Sequence, residues 1–263
     1  MAACHPERIV CLTEETTETL YLLGEERRIV GISGYTVRPP RARREKPRVS
    51  AFLSARMEKI VELKPDLVIG FSDLQADIAR DLAKAGLNVL IFNQRSVDEI
   101  LSMILTLSSL VGVTEKGLSL IKQLESGLDE IRAAAKRFPR KPKVYFEEWD
   151  EPMISGIRWV SELVGIAGGE DVFAELSLSQ AATGRIVSPA WVVAKQPDVI
   201  LGSWCGKKFR PERVAARPGW EAIPAVRNGQ LHEIKSAEIL QPGPAALTDG
   251  VRHIHRLLLS VQT

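Results

Sequence analysis

Two pairs of neighbouring glutamates, Glu14-Glu15 and Glu147-Glu148, are the residues best suited to acid–base chemistry. Set across a cleft, they would form the paired carboxylates of glycoside hydrolysis, one protonating the leaving group while the other attacks or activates water. Cys205, in the run S-W-C-G-K-K-F, is the candidate nucleophile, because Lys207 and Lys208 would favour its thiolate. The same thiolate is a competent soft ligand for cobalt or iron, and a small, partly buried thiol is the plain reading. With Arg210 and Arg213 those lysines form a basic cluster, either a solvated loop or a contact for carboxylates or a phosphate on a ligand. Of the histidines, His5 lies near the terminus, His232 in a strand, and His253 and His255 on the last helix. Residues two apart on a helix point in different directions, so no metal pair is expected there. Phosphate-cradling glycine loops, HExxH and GxSxG do not occur in the sequence. Cys4, Cys11 and Cys205 are odd in number and widely spaced, which fits neither a disulfide framework nor a zinc knuckle.

These residues must be positioned by an alternation of short β-branched runs and amphipathic stretches, the pattern of βα units around parallel sheets. Strands are expected over residues 8–13, 28–33, 66–71 and 88–92. The helices between them carry punctuation. Residues 16–23 stop at Gly24 and residues 74–85 at Gly86, each glycine suiting the left-handed position beyond a helix end. Ser96-Val-Asp-Glu99 reads as a capping box opening a helix over 97–111. From 114 to 138, Leu118, Ile121, Leu124, Leu128, Ile131, Ala135 and Phe138 recur every three or four positions, predicting one continuous helix ended by Pro139 and Pro142. The alternation then restarts with a strand over 143–147 and a helix over 158–167 closed by Gly168-Gly169. A short helix follows Ser188-Pro189, strands follow over 198–202 and 231–234, and the last helix spans 244–259.

An internal repeat ties the halves together. Residues 57–70, M-E-K-I-V-E-L-K-P-D-L-V-I-G, align with 189–202, P-A-W-V-V-A-K-Q-P-D-V-I-L-G, at a constant offset of 132. The expected architecture is therefore α/β: two lobes, residues 1–113 and 140–263, each a mostly parallel sheet with flanking helices, bridged by a long helix over 114–139 as a rigid spacer. Parallel α/β sheets bind ligands beyond the carboxyl ends of their strands. That places Glu14, Glu15, Tyr35 and Phe71 on one lip, and Glu147, Glu148, Trp149, Asp150, Trp204, Cys205 and Lys235 on the other. Aromatic planes on both lips suit a large flat ligand whose polar rim meets carboxylates and amides.

Composition narrows the classes. The chain has 263 residues, 45% of them apolar and 26% charged, with a formal charge of +2, which fits a globular protein and argues against a dedicated nucleic-acid binder. The dense basic run over residues 38–48 is interrupted by prolines and Glu45 and reads as a solvated loop. The longest uncharged run, 100–113, is far short of the roughly 20 residues of a membrane span. M-A-A-C-H-P-E-R carries no basic and apolar leader, so as written the chain is expected to be cytoplasmic, although Cys4 behind two alanines faintly matches a lipoprotein box.

R-I-V-C-L-T-E-E-T-T-E-T-L-Y-L-L-G, R-I-V-G-I-S-G-Y-T-V-R-P-P, P-R-V-S-A-F and L-K-P-D-L-V-I-G resemble substrate-binding proteins of ABC importers. The branch is the class III, single-helix one that carries cobalamin, haem and ferric siderophores. L-V-G-I-A-G-G-E-D-V-F and P-G-W-E-A-I-P-A-V-R-N-G-Q-L fit it too, and G-Y-x-x-x-P-P followed by R-V-S-A-F looks most like the vitamin B12 binders. The resemblance spans essentially the whole chain. It implies two Rossmann-like lobes, with Tyr35 and Phe52 as aromatic cleft residues, Thr13 to Thr16 beside the ligand, and residues 147–156 as the facing lip. Phe52 stands where the B12 family more often presents tryptophan. Importer-type members also carry a glutamate at each lobe tip that pairs with permease arginines; Glu58 matches the first, but Ala190 occupies the second.

The expectation is a non-enzymatic, monomeric protein that holds a corrinoid, cobalamin first, through Glu14, Glu15, Tyr35, Phe52, Phe71, Glu148, Trp149, Trp204 and Cys205. A ferric siderophore or haem is the alternative ligand. A cytoplasmic enzyme or sensor using the cleft carboxylates is the rival from another class. No metal site, catalytic cofactor or nucleic-acid partner is expected, and an ABC permease partner is weakened by Ala190.

Overall fold

The structure, a computed structural model, describes residues 5–262, so the reading of Cys4 lies outside the described residues. The chain divides into two compact units, one running to Gln94 and including Asp98–Gln123, the other made of Arg95–Val97 and the chain from Leu124 onward.

The first unit contains β1 (Ile9–Cys11), α1 (Glu14–Leu22), β2 (Ile29–Ser33), α2 (Ala42–Glu45), β3 (Arg48–Ala51), β4 (Ser54–Ala55), α3 (Met57–Glu62), β5 (Leu67–Phe71), α4 (Ala76–Lys84), β6 (Val89–Phe92) and α5 (Val97–Leu110). Its sheet has the order β4-β3-β2-β1-β5-β6, parallel throughout except for the β3–β4 pair. β1 and β5 are buried along their whole length, which is why both read as unbroken apolar runs rather than alternating ones. The sequence pattern missed β3, because its Arg48-Val-Ser-Ala51 is short, polar at alternate positions and preceded by the basic loop. Ser50 is nevertheless buried, its hydroxyl donating to the Leu12 carbonyl at 3.4 Å.

Helix α6 (Thr114–Ala135) begins in the first unit and ends in the second, stopping three residues before the predicted end. Phe138, counted as its last apolar position, instead stacks on His255 with centroids 5.2 Å apart.

The second unit continues with β7 (Lys143–Asp150), β8 (Met153–Ser155), α7 (Arg158–Ile166), β9 (Glu170–Asp171), α8 (Pro189–Lys195), β10 (Val199–Gly202), α9 (Pro211–Ala215), α10 (Pro224–Arg227), β11 (Leu231–Glu233), α11 (Ser236–Ile239) and α12 (Val251–Ser260). The order is β11-β10-β7-β8, with β9 also on β7, and only β7–β8 runs antiparallel. Its core is aromatic: Tyr145 meets Phe173 and Trp220 edge-on at 5.7 and 6.3 Å. β7 runs three residues beyond its predicted end, so Glu147 lies within the sheet, paired with Gly202, rather than in a loop.

The repeat is real in three dimensions. Lys64 and Gln196, 132 residues apart, both adopt left-handed backbone, with φ of 46° and 47°, just before Pro65 and Pro197. The next residues act as staples. Asp66 accepts the backbone N–H groups of Glu7 and Arg8 at 2.7 and 3.0 Å, and Asp198 accepts that of Lys143 at 2.8 Å. The paired glycines lie at or next to the ends of β5 and β10, where side chains press close: a Cβ on Gly70 would lie 2.8 Å from Ile91 Cδ1, and one on Gly202 would strike the Phe209 ring. Among the described residues, no helix is long and apolar enough to cross a membrane.

Candidate ligand-binding edges

In the first unit, the carboxyl ends of β1, β2, β3 and β5 lead into Glu14, Tyr35, Phe52 and Ser72 respectively. Two of these are open aromatic surface: Tyr35 is 57% exposed and Phe52 half-buried. Phe71, expected at the ligand, is buried as the last residue of β5. The edge is cross-braced by Gln75, which is fully buried. Its Oε1 accepts the Phe71 N–H and its Nε2 donates to the Phe52 carbonyl, both at 2.9 Å. Ser72, at φ 67° and ψ 165°, occupies backbone space that is nearly reserved for glycine. Its hydroxyl accepts the Leu74 N–H at 3.2 Å, and the turn places strain at the carboxyl end of β5.

Glu14 and Glu15 open helix α1 rather than preceding it, and both are buried. Burial pushes their carboxyls up to about 7 and about 8, Glu15 being the more deeply buried of the two, with the Glu14 carboxyl adding to the rise. The Thr13 hydroxyl donates to Glu15 Oε1 at 2.6 Å, while Oε2 is buried with no hydrogen-bond partner among the described residues. Cys11, directly below, is a buried thiol raised to about 12 by burial and chemically inert at neutral pH.

The second unit presents a different surface. Glu147, a candidate catalytic carboxylate, is wholly buried and saturated: Arg217 grips it at 2.5 and 2.9 Å, Trp204 Nε1 donates at 3.0 Å and the Tyr145 hydroxyl at 3.1 Å. Glu148 is held bidentately by the buried Arg185, at 2.6 and 3.2 Å. Neither is left to act as a free acid or base, so the hydrolytic reading loses its second pair. Trp204, expected as an open plane, is 3% exposed and packs edge-on to Phe209 at 5.0 Å. Trp149 is half-buried, and Lys207 places its ammonium 4.2 Å over that ring and 5.2 Å over Trp204 while ion-paired to Asp150. Cys205 is exposed and forms no disulfide.

Arg185, Arg217 and Gln75 carried no recognisable signal, because each lies far along the chain from the group it holds or in an unremarkable polar stretch. His253 and His255 go to separate partners, Glu238 at 3.1 Å and the Ala167 carbonyl at 2.9 Å. Among the described residues no group of three His, Cys, Asp or Glu side chains could hold a metal ion. Glu58 and Ala190 occupy the second positions of α3 and α8, both exposed, with Trp191 beside Ala190 55% exposed.

Comparison with known proteins agrees with this architecture. A vitamin B12-binding protein of Vibrio cholerae is 29% identical over 259 residues, 94% of this chain and 87% of that protein. The crystal structure of the periplasmic vitamin B12 binding protein BtuF of that species is similar with a TM-score of 0.76 at 26% identity, covering 98% of both chains. An uncharacterized ABC transporter substrate-binding lipoprotein of Bacillus subtilis, YvrC, is 26% identical over 95% of this chain and 79% of its own length. The periplasmic haem-binding protein RhuT of Roseiflexus has a TM-score of 0.81 at 25% identity, covering 96% of this chain and 99% of that one. The model of the periplasmic binding protein family matches residues 9–238, and with two α/β units built on the repeat described above, this chain belongs to that family.

Proposed function

We propose that the chain is a non-enzymatic binding protein for a large flat ligand with an uncharged polar rim, a corrinoid such as cobalamin, held at the carboxyl ends of its parallel strands. The observation that carries this is the pair of accessible aromatic surfaces, Tyr35 with Phe52 on one edge and Trp149 on the other, at the edges where such sheets bind ligands. Glu14 and Glu15 keep their protons up to about pH 7 and 8, so they can donate to amide carbonyls and offer little to a carboxylate. The Vibrio relatives named for vitamin B12 support the same ligand. A second reading, haem or a ferric siderophore, is favoured by the lysines of the second edge and by the haem-binding relative. The family is periplasmic by name, and nothing in it supports a cytoplasmic location.

The test is a visible-absorption titration with cyanocobalamin, haemin and a ferric siderophore in parallel. Saturable binding of cyanocobalamin, with the others at least about tenfold weaker, is expected; tighter haemin binding would select the second reading. Tyr35→Ala and Trp149→Ala should each cost roughly 1–3 kcal/mol of affinity by calorimetry, and unchanged affinity in both would place the ligand elsewhere.

A family member of this kind hands its ligand to an ABC permease. Glu58 offers one docking carboxylate, whereas Ala190 offers none. Losing one member of a desolvated charge pair typically costs about 2–5 kcal/mol, so weak docking is expected. Uptake by a reconstituted B12-type importer should rise at least about tenfold with Ala190→Glu. Full uptake by the parent would show that the second carboxylate is dispensable.

A further inference from the structure

We propose that the pocket at the carboxyl ends of β10 and β11 is an oxyanion subsite that takes a phosphate ester or carboxylate carried by the ligand. This rests on the reading of the strand edges as the ligand site. The pocket has a volume of about 290 Å³ and is lined by Trp204, Lys207, Lys208, Glu233, Lys235 and Ser236. Whole-ligand pockets run from roughly 300 to 1,000 Å³, so this one lies at the small end of that range, with room for one polar group of a larger molecule.

Its charges do not cancel. Lys207 is ion-paired to Asp150, and Lys235 to Glu233 at 2.5 Å. Lys208 makes no ion pair among the described residues, so the lining, even with Asp150 counted against Lys207, carries one cation beyond its anions. Glu233 is itself committed: burial alone would raise its carboxyl, but Lys235, the Phe209 N–H and Lys208 outweigh burial and hold it low. It therefore stays an anion bound to lysine and is a poor acceptor for a ligand donor. Lys207 is not a freely swinging surface chain, since two indole faces and Asp150 fix its ammonium. A fixed ammonium, one without an ion pair and the hydroxyl of Ser236 together suit a compact oxyanion, which lysine meets as a point charge. The first edge, with its buried protonated carboxyls, has the opposite preference.

The experiment compares affinities for cyanocobalamin and dicyanocobinamide, the same corrin without the phosphodiester-linked nucleotide, in the parent, Lys208→Met and Lys235→Met proteins. The parent should prefer cyanocobalamin by about tenfold or more, and each variant should lose most of that preference while binding the cobinamide unchanged. Haemin against its dimethyl ester forms the carboxylate arm, read in the same way. Variants that leave both preferences intact, or weaken charged and uncharged ligands alike, would overturn the subsite. If no corrinoid or haem binds, the ligand reading fails but the pocket is still decided, by tryptophan fluorescence during titration with inorganic phosphate at constant ionic strength. A saturable change in the parent that Lys208→Met abolishes supports it; no change, or the same change in both, overturns it. Lys208→Arg should retain the parental behaviour in every arm.

Discussion

Arg217→Met should destabilise the protein by about 3–5 kcal/mol, because it strands the wholly buried Glu147 carboxylate without its counter-charge. Glu147 has three sources of hydrogen bonds, and Arg217 supplies both of the shorter ones. The Trp204 N–H and Tyr145 hydroxyl that remain are neutral donors and cannot replace a guanidinium. The same loss should loosen Trp204, which is tethered through Glu147 and lies under Lys207. Urea unfolding followed by tryptophan fluorescence measures the first effect. Adding Glu147→Gln to Arg217→Met should recover a substantial part of it by removing the buried charge. A midpoint for the single variant equivalent to less than about 1 kcal/mol of loss would show that water reaches Glu147 and the network is not sealed.

Stability should fall as the solution is made alkaline, by on the order of 2–4 kcal/mol between pH 6 and 9. In the folded chain Glu14 and Glu15 hold their protons up to about 7 and about 8, against an ordinary value of 4.5 when unfolded. Between those limits the folded state binds more protons. The contribution is therefore complete below pH 4.5 and is lost as the pH rises through the folded values. His232, whose imidazole burial pushes down from 6.5, works in the opposite sense and offsets a little of the loss at the start of the window, before the two carboxyls dominate above pH 7. Thermal unfolding at pH 6 and 9 tests this, and Glu15→Gln should flatten the dependence by about two thirds. Equal midpoints at both pH values in the parent would mean that these carboxyls are already ionised in the fold.

The fold was legible because its punctuation is physical. Gly24 and Gly86 take the left-handed positions foreseen at the ends of α1 and α4, with φ of 74° and 80°. Ser188 caps α8 through the Trp191 N–H at 3.2 Å, with Pro189 at the first turn. The constant offset of the repeat gave the second sheet's β10 from the first sheet's β5. What escaped was whatever depends on pairing across the sequence. β3 is too short to show a period, and the extension of β7 is invisible because Glu147-Glu-Trp-Asp150 is as polar as a loop. The strand ends on which the proposed site rests were legible, the exposure of individual side chains there less so. Periodicity cannot tell that Trp204 is sealed at 3% exposure while Tyr35 stands open, since both follow a strand by two residues. Nor can it show that Arg217 lies against Glu147, 70 positions away.

The twin aspartate staples, Asp66 and Asp198, have a consequence for how such a protein came to exist. Each ties the start of a unit's first strand to the start of a neighbouring one, so the features shared at an offset of 132 sit largely at the amino ends of the strands. The carboxyl ends have parted company: buried acids whose carboxyls are pushed up on one sheet, a lysine held over two indoles on the other. A duplicated half-length gene would leave this imprint if drift in the framing half of each copy were lethal while drift in the other half was free to invent. The symmetry of the chain is then ancestry, and its asymmetry lies at the strand ends that such a duplication left free to change.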